Sequence, residues 1–124
     1  MTYEKLLEKI AEKEKNIGLT DTEKEAISSR LLEAREHIPE KPAEEPKELV
    51  EKAEESEKKG EFKEAFTDYD AAKKAGAKVE MIEQKMARLA EMIMKAERID
   101  PELLEVARAA AEYAKQLAEE HSKS

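Results

Sequence analysis

Cysteine is absent from the 124-residue chain, so neither a disulfide scaffold nor a thiolate metal site is available. Tryptophan is missing too, and aromatic residues make up only 4% of the chain. Glycine occurs three times, few enough that each reads as a deliberate helix stop. No apolar run approaches the length that spans a bilayer, and Glu and Lys alternate near the N-terminus where a signal peptide would be apolar. These absences predict a soluble, cytoplasmic chain. Clustered basic residues are lacking as well. The adjacent basic pairs Lys58-Lys59 and Lys73-Lys74 sit among carboxylates, and the net charge is −8, which argues against a nucleic-acid partner.

What remains is an acidic chain, 44% charged and rich in Lys and Glu, the make-up of long solvent-washed helices and of thermostable proteins. The length suits one domain with a real core. Apolar residues at Tyr3, Leu6, Leu7 and Ile10 predict a first helix to about Asn16, stopped by Gly18 with Leu19 folding back. Thr20-Asp21-Thr22-Glu23 is a capping box that starts a second helix, running to about His37 with Ala26, Ile27, Leu31, Ala34 and Ile38 on its apolar face. Residues 1–38 are therefore expected as an antiparallel hairpin. Three of the four prolines fall in residues 39–46, which predicts a semi-rigid linker.

Residues 47–124 are expected to form a helical bundle. A third helix, about Lys47 to Lys59, buries Leu49, Val50 and Ala53. Gly60 makes the turn into a fourth, whose face is Phe62, Ala65, Phe66, Tyr69 and Ala72 and which Gly76 caps. The fifth, about Lys78 to Ile99, has the longest apolar stripe: Val79, Ile82, Met86, Leu89, Ile93 and Ala96. It is expected to be the central wall. Asp100-Pro101 restarts the chain as N-cap and first helical residue, and a sixth helix runs to about Glu120 through Leu103, Ala107, Ala110, Ala114 and Leu117.

The run Gly60, Phe62, Ala65, Tyr69, Ala72 resembles the tetratricopeptide-like family, in which a glycine turn leads to an aromatic, an alanine, a second aromatic and a second alanine at these spacings. Ala53 then matches the small residue that meets Ala65 and Tyr69. Leu49-Val50-Glu51-Lys52-Ala53 before the turn, and the long following helix ending Ala96-Glu97-Arg98, also resemble the three-helix microtubule-interacting-and-trafficking domain. Both resemblances cover residues 46–99. They imply an all-α fold of about six helices in antiparallel hairpins, and a role in binding protein segments. Val50 and Glu54 stand where some tetratricopeptide members clamp a carboxylate terminus, so that ligand is not implied.

No nucleophile with its base and no metal cluster is legible, so no catalytic, cofactor or metal site is expected. Glu33 and His37 lie one turn apart, and a solvated helix end explains them better than a shared metal. The acidic runs Glu54-Glu55-Ser56-Glu57 and Glu44-Glu45 read as solvated faces rather than docking sites for a basic peptide. On the fifth helix, Met81 and Met92 lie off the main stripe. They are the candidate partner-binding residues, because methionine adapts to varied surfaces and a groove there suits an amphipathic helix. The reading is a non-catalytic adaptor that offers a helical groove to a protein segment. The alternatives are a self-associating structural protein and an idealised helical-repeat protein without a natural partner.

Overall fold

The computed structural model describes residues 3–38, 44–96 and 99–123. Six helices account for its regular structure: α1 (Tyr3–Asn16), α2 (Asp21–Glu36), α3 (Pro46–Lys58), α4 (Phe62–Lys74), α5 (Val79–Met94) and α6 (Pro101–Lys123). No strand is present among the described residues. The expected linker falls largely outside them, since residues 39–43 are not described. Pro46, expected as its last residue, instead opens α3, where a missing N–H costs nothing.

Three helices end in the same way. After α1, α3 and α4 the chain enters the left-handed region at Gly18, Gly60 and Gly76, with φ of 72°, 78° and 112°. At Gly60 the paired bonds are Gly60 N to Glu57 O at 3.0 Å and Glu61 N to Ser56 O at 2.9 Å, a Schellman ending that reverses the chain onto α4. The α2 capping box forms as expected, with Glu23 N donating to Thr20 Oγ1 at 3.2 Å. Asp100 Oδ1 caps α6 by accepting from Leu103 N at 2.8 Å.

α3 and α4 pack as an antiparallel hairpin, α5 and α6 as the most extensive pair, and α4 joins the two pairs by lying on α5. The core runs through Phe66 and Tyr69 of α4, Ile82, Met86, Leu89 and Ile93 of α5, and Leu104 and Leu117 of α6. The central element is α6 rather than α5, for α1, α2, α4 and α5 all pack on it. Ala107, Ala110, Ala111 and Ala114 are fully buried along α6, and side chains that small let neighbours approach from several sides. α5 is also shorter than expected, stopping at Met94 before Ile99 packs against the core.

The N-terminal helices are not a self-packed hairpin. α1 buries Leu6 and Ile10 against α6 and reaches α5, whereas α2 lies across α6 and α4. Of the stripe expected on α2, Ile27 and Leu31 are buried, Ala34 is half-buried and Ile38 packs against the core, whereas Ala26 is exposed; Arg35, one turn beyond Leu31, also reaches inward. Of the buried α2 residues only Leu31 belongs to the continuous core.

Candidate functional site

Where α2 crosses α6 the surface opens into a groove of about 280 Å³. Ser28, Leu31, Leu32 and Arg35 come from α2, and Glu105, Arg108, Ala109 and Glu112 from α6. Leu32 stands on the rim at 55% exposure, the largest of any bulky apolar side chain among the described residues. Ion-pair clusters hold the two ends of the groove.

At one end Arg108 gathers three elements. Its Nε donates to Glu105 Oε2 at 2.6 Å and lies 3.7 Å from Glu14 Oε1 of α1. Its terminal nitrogens reach Ser28 Oγ at 3.0 Å and Glu112 Oε1 at 3.4 Å. Lys24 Nζ of α2 meets the other Glu14 oxygen at 3.1 Å. Two buried carboxylates thus share one guanidinium. Glu14 Oε1 and Glu105 Oε1 are buried without a hydrogen-bond partner. Burial pushes the Glu105 carboxyl above its ordinary range, and the Glu14 carboxylate nearby adds to the rise against the pull of Arg108.

At the other end Arg35 reaches inward between two aromatic rings. Its Cζ lies 4.9 Å from the Tyr113 ring centroid and 5.5 Å from that of Phe66, and the rings themselves meet edge to face at 6.4 Å. Beyond them Arg35 Nε donates to Asp70 Oδ2 at 3.0 Å, on a residue only 1% exposed. Lys74 Nζ adds a bond to the Arg35 carbonyl at 3.2 Å and sits 3.9 Å from Asp70. Burial, followed by the adjacent Asp70 carboxylate, raises the Tyr113 phenol well above its ordinary value.

Met81 and Met92 are both half-buried on α5, and neither lines this groove. Met81 packs against the core. Glu33 and His37 are exposed at the end of α2. Among the described residues no group of three or more His, Asp or Glu side chains is placed to hold a metal ion. The acidic run on α3 is not a uniform solvated face: Glu54 pairs with Lys85 at 2.6 Å, and Glu57 is buried against Tyr69 and Arg88.

Leu31 was legible on the apolar face of α2, but the charged residues buried beside the groove and elsewhere in the fold went unrecognised in the sequence, although a signal for several of them was there. Glu14 follows Leu6 and Ile10 at one-turn steps, Arg35 follows Ile27 and Leu31, Asp70 follows Phe66, and Glu57 follows Ala53. A charge on an apolar stripe marks a buried ion pair. Among the described residues no helix is long and apolar enough to cross a membrane. Compared with protein-family models, curated proteins and solved structures, the chain finds no match.

Proposed function

We propose that the chain is a non-catalytic protein-protein interaction module, tetratricopeptide-like at α3 and α4, that receives a helical segment of a partner protein at the groove between α2 and α6. The observation that carries this reading is Leu32, a mostly exposed leucine beside a cleft whose polar rim is held in place by ion pairs. An exposed apolar anchor next to a preorganised polar rim is how helix-receiving surfaces are built. A cleft of about 280 Å³ with exposed residues on its rim accepts one or two side chains rather than enclosing a cofactor. The net charge of −8 favours basic segments over nucleic acid, and a chain without cysteine suits the reducing cytoplasm.

The test is a displayed library of helical segments panned against the chain, with Leu32→Glu and Met92→Glu variants panned in parallel. Segments enriched by the parent are expected to lose about tenfold in affinity for Leu32→Glu and to keep it for Met92→Glu. Loss on Met92→Glu alone would move the partner to α5. No enrichment by a folded parent would end the interaction reading.

A further inference from the structure

Room for two side chains is a foothold, not a seat for a helix of several turns. The seat that α4 and α6 provide is already filled, by α2. Its occupancy has a register: Ile27 and Leu31 bury one turn apart, and Arg35, a turn further, enters a pocket made by the Asp70 carboxylate and the rings of Phe66 and Tyr113. Those three pocket residues belong to α4 and α6, are each at most 8% exposed with Arg35 in place, and include the Phe66–Tyr113 ring pair. A buried carboxylate beside two aromatic rings selects a guanidinium over an ammonium, because a planar, weakly hydrated cation stacks and hydrogen-bonds at once.

α2 shares little apolar surface with the rest of the fold. Ile27 is buried apart from the continuous core, Leu31 is the one α2 residue within it, and the other ties are polar: Lys24 to Glu14, Arg108 to Ser28, Arg35 to the buried Asp70, and Lys74 to the Arg35 carbonyl. A helix that brings an equivalent arginine can replace such ties one for one, whereas a large shared apolar face is harder to exchange.

We infer that α2 is a strap seated in an arginine-reading groove on α4 and α6, and that the partner is an amphipathic helix with the same register, two apolar residues four apart and an arginine four further on, which takes the place of α2. This rests on the interaction reading above, with the cleft beside Leu32 as the partner's first foothold and the seat of α2 as its final place, and adds the partner's chemistry and the means of its regulation. The strap keeps the groove closed to helices that lack the arginine, and it lowers the affinity of those that have it by the fraction of time the groove is shut.

A labelled peptide with the sequence of residues 20–38 serves as the probe, titrated against the full chain and its Arg35→Ala variant while hydrogen exchange of α2 is followed by mass spectrometry. The variant is expected to bind at least about tenfold tighter than the parent, since its own strap no longer competes for the pocket. A peptide carrying lysine in place of the arginine is expected to bind at least about fivefold more weakly. α2 amides should exchange faster in the complex. Should Arg35→Ala fail to fold, Arg35→Lys keeps the charge while weakening the strap and takes its place. Equal binding of the arginine and lysine peptides, or no gain over the parent in a folded variant, overturns the inference. Binding that leaves α2 as protected as before also overturns it while the interaction reading stands. No binding to either chain, together with a failed library selection, removes both.

Discussion

The Tyr69 phenol donates to Glu57 Oε1 across 2.7 Å, and Arg88 holds the other oxygen of the same carboxylate at 3.0 Å. Three helices meet there, since Glu57 is on α3, Tyr69 on α4 and Arg88 on α5. Tyr69 is fully buried, and burial together with its bond to Glu57 raises its phenol well above the ordinary range. Tyr69→Phe deletes one donor and is expected to cost about 1–2 kcal/mol. Glu57→Ala strands the buried phenol, while the half-exposed Arg88 guanidinium can turn to water, and is expected to cost about 1–3 kcal/mol. Denaturant unfolding of both single variants and the double variant checks this: the double should cost less than the sum.

Glu105 behaves in the opposite sense to most carboxylates. Its raised titration point means that folding favours the protonated form, so its contribution to stability is full at acid pH and is lost as pH rises through that point. Glu105→Gln keeps an acceptor for Arg108 and removes a buried charge. At about pH 8 the variant is expected to be more stable than the parent by about 1 kcal/mol, with the gap closing towards about pH 4. A variant that is less stable at both pH values would show that the Arg108 pair outweighs the desolvation.

The tyrosines predict an alkaline limit. Burial, with the Glu83 carboxylate accepting its hydroxyl at 2.7 Å, pushes the Tyr3 phenol up to about 12, and Tyr69 and Tyr113 are raised by burial as well. Their stabilising contribution is therefore full below about pH 10, the unfolded value, and falls as pH rises towards and beyond 12. With no tryptophan in the chain, phenolate absorbance reports these three residues alone. Well below about pH 12, where folded Tyr3 itself ionises, it should rise only together with loss of the helical circular dichroism. A full phenolate signal near pH 10 with the helices intact would refute this.

The glycine turns are not equivalent. No neighbouring atom lies within 4 Å of an added Cβ at Gly60 or Gly76, so a substitution at either costs backbone energy alone. Gly60, at φ 78°, lies near the left-handed helical region that asparagine tolerates, whereas Gly76, at φ 112°, lies beyond it. Gly60→Asn is expected to cost about 0.5 kcal/mol and Gly76→Asn about 1–2 kcal/mol, read from thermal unfolding.

The helices were legible because their punctuation is strong. Gly18, Gly60, Gly76, the Thr20 to Glu23 box and Asp100-Pro101 each settle a boundary through local hydrogen bonding that needs no tertiary partner. The placement of α1 and α2 was not legible, because sequence adjacency suggested a hairpin, whereas both pack on α6, far along the sequence from either. The groove was missed for a related reason. Arg35, Asp70, Glu14 and Glu105 carry charges, and hydropathy alone assigns charges to solvent. Arg35 pairs with Asp70, and Glu14 with Arg108, across elements far apart in sequence; periodicity within one helix can flag a charge on an apolar stripe but does not report its partner.

The many-sided packing of α6 also orders events in time. α1 is made before α2–α6, so most of the surface on which Leu6 and Ile10 bury does not exist until α6 has left the ribosome. The α3–α4 hairpin, whose contacts are local, can close early, whereas α1 must wait, amphipathic and unpartnered, until α6 has been made. Of the six helices α1 is thus the one most in need of a chaperone's cover.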